Sequence, residues 1–225
     1  AQNCWIEGAV DYFYGNGNCL LEHCTFYNMR DGAVIVAPSH NANTRWGYVM
    51  SNCIVDGNEQ ASNGKVKLGR PWHNSPMTVY LNTTFNIDIA PEGWTDMGTI
   101  PKLFAEYNSK GKNGEIVDLS QRKTLYSYED DQKNTVSGSC KAVLTASEAA
   151  QYTYENVISE GDYWNPRKYM EKVDIPTNLK KENGVLSWGT SKYAICYLVL
   201  NGDDPYLQKF NLDNTFNVTY YGINK

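Results

Sequence analysis

Two segments of this chain combine residue types that can do chemistry. Gly8-Ala-Val-Asp11-Tyr-Phe-Tyr14-Gly15-Asn16 sets a carboxylate inside an aromatic, strand-like run. Leu68-Gly-Arg70-Pro-Trp72 sets a guanidinium beside a proline-fixed turn and an aromatic plate. An acid in an apolar setting is costly unless it is hydrogen-bonded or paired. An arginine can partner it bidentately and hold the carboxylate ionised and oriented. On residue types alone, Asp11 and Arg70 describe either a reactive carboxylate or a structural ion pair. Other chemistries find less support. There is no C-x-x-C, and His23, His40 and His73 are scattered, which argues against a zinc site. No glycine-rich phosphate loop and no G-x-S-x-G are present. No cofactor and no metal are implied.

The elements that position these residues follow from composition and repetition. The chain has 225 residues, with 20 Lys+Arg against 25 Asp+Glu and a net charge of −5. That balance argues against a nucleic-acid partner. The longest apolar runs, such as Ala194–Leu200, are too short to span a bilayer, and no leader is legible in the opening residues. The 24 Asn, 18 Gly and 17 Tyr favour turns and strands over helix. Asn3-Cys4-Trp5-Ile6-Glu7-Gly8 recurs as His23–Asn28 and as Asn52–Gly57, with a weaker copy at Asn82–Asn86, at offsets of 20, 29 and 30 residues. Short strands at such spacing predict an all-β chain built as a solenoid, with a β-sandwich as the competing arrangement. Cys4, Cys24 and Cys53 fall at equivalent positions and read as a ladder of buried thiols. The even total of six cysteines also permits disulfides.

Residues 87–140 read as long, irregular, polar loops. Thr145-Ala-Ser-Glu148 is a capping box and marks a helix start. Beyond Val173–Pro176 the pattern changes to separate strands at Gly184–Trp188, Tyr193–Leu200, Tyr206–Phe210 and Thr215–Ile223. Trp5, Trp46 and Trp188 read as packing residues.

The two opening segments resemble the pectin methylesterase family, carbohydrate esterases that de-esterify methylated polygalacturonate. Leu68–Trp72 matches that family's L-G-R-P-W in full, and Gly8–Asn16 matches its G-x-V-D-F-I-F-G-N with Tyr14 in place of the usual Phe. Pro91–Met97, Phe104–Gly111, Tyr152–Asn156 and Asp162–Pro166 follow in the family's order. The resemblance covers about residues 1–168 and implies a right-handed parallel β-helix, here over 1–172. It further implies Asp11 as the nucleophile and Arg70 as its orienting partner. Trp72 would face a sugar ring, and Tyr14 and Met97 would line the cleft. Trp94 is divided between cleft wall and core. Residues 173–225 resemble a fibronectin-type-III-like sandwich in Pro176, Asn178, Leu179, Trp188 and Tyr220–Asn224, with its last strand missing.

The family also carries a Gln-Asp pair about twenty residues before the nucleophile, and Gln2 lies too close to Asp11 to supply it. The expectation is therefore a C-terminal portion of an esterase, inactive alone, whose exposed first coil is either covered by another chain or poorly ordered. The substrate expectation is pectin, and the location expectation is secreted, at a bacterial periplasm or surface. A non-catalytic carbohydrate-binding or structural β-helix remains the alternative. A calcium-dependent lyase or a glycoside hydrolase would need further carboxylates beside Asp11.

Overall fold

The computed structural model describes residues 1–158, 165–169, 174–191, 194, 197–201, 204–211 and 215–217. The chain forms two compact units, residues 1–163 and 164–225. The repeats of the first unit are coils of a parallel β-solenoid, as the spacing predicts. Each coil lays one strand on each of three sheets. The first contributes β1 (Trp5–Gly8), β2 (Val10–Gly15) and β3 (Cys19–Glu22); the second β4 (Thr25–Asn28), β5 (Val34–Pro38) and β6 (Tyr48–Ser51). The third contributes β7 (Ile54–Gly57), β8 (Lys67–Gly69) and β9 (Met77–Leu81). Then follow β10 (Thr84–Phe85), β11 (Leu103–Tyr107) and β12 (Lys110–Gly111). The sheets run β1-β4-β7-β10-β12, β2-β5-β8 and β3-β6-β9-β11, with every pairing parallel.

The asparagine excess has a local cause at the corners. Asn3, His23, Asn52, Asn82 and Asn108 all have φ between 52° and 55°. Asn tolerates this left-handed conformation because its short polar side chain bonds locally. Each corner turns the chain from the third sheet into the first and places Cys4, Cys24, Cys53, Thr83 or Ser109 at the start of the next strand. The next coil's N–H then bonds the carbonyl below, as from Thr25 to Cys4 (2.8 Å), Ile54 to Cys24 (2.9 Å) and Thr84 to Cys53 (2.9 Å).

Residues 87–140 depart from the expectation of irregular loops. They complete a fourth coil through β11, open the next with β12, then form a hairpin of β13 (Leu125–Glu129) and β14 (Thr135–Ser139). Strands of two residues, β10 and β12, are too short to show alternation. The stacking of Asn108 on Asn82, Nδ2 to Oδ1 at 2.7 Å, marks this coil instead.

The solenoid interior is filled by Leu21, Phe26, Ile35, Met50, Val55, Leu68, Tyr80 and Phe104. A second cluster, including Leu20, Trp46, Val49, Val79 and Val157, lies on the outer face of the third sheet. There α1 (Ala146–Ala149) and α2 (Tyr154–Ile158) follow the expected capping box, in which Thr145 and Glu148 bond reciprocally. Both faces of β9 are therefore buried, which explains its unbroken Met77-Thr-Val-Tyr-Leu81 sequence. Trp46 packs as expected. Trp5 does not: it is 60% exposed, stacked at 4.8 Å on Tyr27 of the neighbouring coil.

In the second unit, β15 (Lys180–Glu182), β16 (Val185–Ser187) and β19 (Thr215–Asn217) form an antiparallel sheet, and β17 (Tyr197–Asn201) pairs with β18 (Asp204–Asn211). Trp188 is buried against Leu186, Tyr197 and Val199. The closing run Tyr220–Asn224 and Cys196 lie outside the described residues.

Candidate functional site

The site grows from a defect in the second sheet. Along β2 and β5, Val10 lies opposite Val34 and Phe13 opposite Val36, so three steps on β2 match two on β5. This is a β-bulge, and Asp11 sits in it at φ 51°. A non-glycine residue held there costs about 1 kcal/mol and marks a backbone shaped for its side chain. Gly8 makes the bulge possible, since a Cβ there would stand 2.3 Å from the Cβ of Tyr12.

Arg70 follows β8, two strands from Asp11 with β5 between them. Its backbone N–H bonds the Val36 carbonyl at 3.0 Å, continuing the parallel ladder. Gly69 allows the close approach, because a Cβ there would stand 2.4 Å from Cγ2 of Val36. The guanidinium reaches back over β5. Nε donates to Asp11 Oδ1 at 2.9 Å and Oδ2 at 3.2 Å, and Nη2 donates to Oδ2 at 2.6 Å. Among the described residues, all hydrogen bonds to this carboxylate come from Arg70. The side chains are 29% (Arg70) and 23% (Asp11) exposed, so the pair is partly shielded yet open to a ligand. Arg70 fixes the plane of the carboxylate and balances its charge, leaving the solvent side of the oxygens free to attack an electrophilic carbon.

An aromatic rim borders the pair. Tyr14, at the end of β2, is 68% exposed and meets Trp72 edge-to-face at 6.0 Å. Trp72 is held by its N–H to Pro38 O (3.2 Å) and rests against His73 at 5.0 Å. Met97 lies on the next coil, half-buried, where Gly98 N–H bonds Pro71 O at 2.9 Å. The structure thus brings Asp11, Arg70, Tyr14 and Trp72 together on one face, with Met97 alongside. It does not bring Trp94 to that face. Trp94 is fully buried and stacked on Phe104 at 4.7 Å, so of its two expected roles core packing is correct.

Two supporting groups escaped the sequence reading. His40 is fully buried. Its Nδ1 accepts the Met77 N–H at 3.0 Å, so Nε2 carries the proton donated to Gly17 O at 3.1 Å. Burial pushes its pKa down, outweighing that bond. It pins the corner just after Tyr14. Glu106 and Arg122 form a buried ion pair at 2.6 Å, with side chains 0% and 3% exposed. Ser109 donates to Glu106 at 2.7 Å, and Arg122 Nη1 donates to the Ala90 and Pro91 carbonyls. A single acid inside Phe104-Ala-Glu-Tyr107 is the one sequence signal that pointed there.

Among the described residues, no group of three or more His, Cys, Asp or Glu is placed to hold a metal ion, and no helix is long and apolar enough to cross a membrane.

The site is thus an Asp–Arg pair with an aromatic rim on one face of a parallel solenoid, and comparison supplies the family. The pectinesterase family model matches residues 1–162, so the chain belongs to the pectinesterase family. The probable pectinesterase A of Neosartorya fischeri is 35% identical over 138 residues, 60% of this chain and 40% of that protein. Pectinesterase 31 of Arabidopsis thaliana is 34% identical over 114 residues, 49% of this chain and 35% of that protein. The chain thus spans well under half the length of these relatives. Among solved structures, the pectin methylesterase of Aspergillus niger is 26% identical with a TM-score of 0.52, covering 74% of this chain and 49% of that one. The carrot pectin methylesterase, 22% identical with a TM-score of 0.56 over 72% of this chain and 50% of that one, is alike in fold.

Proposed function

We propose that this chain carries the nucleophilic half of an active site that hydrolyses methyl esters of polygalacturonate. The observation that carries the proposal is the bidentate hold of Arg70 on Asp11 at a strained bulge. Asp11 attacks the ester carbonyl carbon of a methylated galacturonate unit. The bond to the methoxy oxygen breaks, and methanol leaves with a proton from an acid. The resulting anhydride between Asp11 and the sugar carboxyl is then hydrolysed by water, regenerating the aspartate. Arg70 orients the attacking oxygen and Trp72 offers its ring to a sugar face. Tyr14 and Met97 bound the cleft.

The family resemblance assigns proton transfer and oxyanion binding to a Gln-Asp pair that residues 1–225 do not supply at equivalent positions. The 225-residue polypeptide assayed alone is therefore expected to release little methanol from highly methylated pectin. A rate near that of a longer relative would overturn this. A chimaera joining the leading part of the Neosartorya fischeri relative to Ala1 is expected to release methanol; silence from the folded chimaera would favour a non-catalytic pectin-binding β-helix.

The proposal extends to location and organisation. The protein acts outside the cell or in a bacterial envelope. Residues 1–172 form the esterase portion, and residues 173–225 an appended fibronectin-type-III-like module, a division supported by the antiparallel pairings and buried Trp188 of the second unit. The outer edge of β1 takes a chain–chain contact, which sedimentation would register as a dimer.

A further inference from the structure

Asp96 takes no part in the chemistry proposed above, yet it stands next to Met97 in the segment that borders the cleft. On one side that segment is fastened to the turn carrying Trp72. Gly98 N–H bonds Pro71 O at 2.9 Å, and Thr99 Oγ1 donates to Asn74 O at 3.1 Å. The backbones nearly touch there, since a Cβ on Gly98 would stand 2.5 Å from the Trp72 carbonyl oxygen. On the other side the fastening is Asp96 itself. Its Oδ1 accepts the Ser127 N–H of β13 at 3.0 Å, and its Oδ2 pairs with Lys123 Nζ at 2.9 Å. Lys123 is held in turn, by its N–H to Glu92 O at 2.8 Å and by its ammonium 5.3 Å from the Tyr126 ring. Tyr126 is buried edge-to-face against Phe104. From β14, Gly138 lies so close to Ile100 that a Cβ would stand 3.0 Å from its Cγ2.

We propose that Asp96 is a positioning residue that ties the β13–β14 hairpin to the Met97 segment and so sets where Met97 stands against Trp72. The inference rests on the reading of this face as a cleft for methylated polygalacturonate. The ion pair alone contributes little, because Lys123 is 24% and Asp96 37% exposed and pairs so open to water are weak. The hold comes from both oxygens acting together, one on the main chain of β13 in a charge-assisted bond and one on an anchored ammonium. Without the carboxylate, the hydrogen bonds left to residues 95–99 among the described residues come from the Arg70–Trp72 side: Thr95 N–H to Gly69 O, Gly98 N–H to Pro71 O, and Thr99 to Asn74 O. A sugar chain must then order Met97 as it binds. That cost weakens binding and does not slow the bond-breaking step, because Asp96 is not among the groups that hold Asp11.

The test uses the 225-residue chain and its Asp96→Ala and Asp96→Asn variants. Amide hydrogen exchange and the Kd for a methylated oligogalacturonate are read on each. Asp96→Ala is expected to speed exchange over residues 95–100 by about tenfold, with β5 unchanged, and to weaken binding by about 3–10-fold. Asp96→Asn keeps an oxygen for the Ser127 N–H and should recover most of both losses. Unchanged exchange over residues 95–100 in Asp96→Ala would overturn the tie. Faster exchange with an unchanged Kd would overturn the positioning role and leave Asp96 a structural contact. Faster exchange in a chain that binds no oligogalacturonate even unsubstituted would uphold the tie and overturn the cleft reading on which its use depends.

Discussion

Removing the Glu106 carboxylate gives the sharpest test of how the solenoid holds its fourth coil. Glu106→Ala leaves the Arg122 guanidinium inside the protein without its anion. Breaking a buried ion pair from one side costs about 3–5 kcal/mol. Arg122 retains two neutral acceptors, the carbonyls of Ala90 (3.2 Å) and Pro91 (2.9 Å), which pulls the cost toward the lower end. Ser109 loses its acceptor as well, worth about 1 kcal/mol. The expected loss is about 3–4 kcal/mol, or about 6–16 °C in the melting temperature of the first unit. Urea unfolding followed by tryptophan fluorescence reads it, because Trp94 is fully buried beside Phe104 and becomes exposed on unfolding. The double variant Glu106→Leu with Arg122→Met should recover most of the loss, since it leaves no unpaired charge. A loss under about 1 kcal/mol, or a double variant no more stable than Glu106→Ala, would refute the reasoning.

Other substitutions test the site and its supports. Arg70→Lys exchanges the bidentate clamp for a single point charge, and methanol release by the chimaera should fall by about 10–100-fold with pectin binding little changed. Gly69→Ala drives a Cβ into Val36 and should cost about 1–3 kcal/mol while displacing Arg70, seen as lower stability and lower turnover together. His40 is held neutral with its pKa lowered, so the unfolded chain binds its proton more readily than the folded one. Stability should therefore fall as pH drops through about 6.5, and His40→Asn should flatten that slope in urea titrations between pH 7 and 5.

The Asn-Cys repeats were legible because each corner needs a residue that accepts positive φ and each following position needs a small inward group. Asp11 and Arg70 stood out because a charge inside an apolar run is costly without a partner. The bulge that joins them was not legible, since it depends on register against β5, a strand some twenty residues away. Residues 87–140 read as loop because the repeat fades to a weak copy at Asn82–Asn86, and the next first-sheet strand, Lys110–Gly111, is only two residues long. Trp94 was ambiguous because an aromatic beside Gly93 fits a cleft wall or a core equally; only packing against Tyr80 and Phe104 decides it. Glu106 gave no clue to its partner, since Arg122 lies in a segment with no periodicity.

Asp11→Asn in the chimaera tests the central claim most directly, because Asn keeps the size of the side chain and its hydrogen-bonding oxygen but cannot form the anhydride. Methanol release from methylated pectin is expected to drop by at least about 10³-fold, with pectin binding within about twofold of the unsubstituted protein. Turnover within tenfold of the unsubstituted chimaera would contradict the account and reduce Asp11–Arg70 to a structural ion pair.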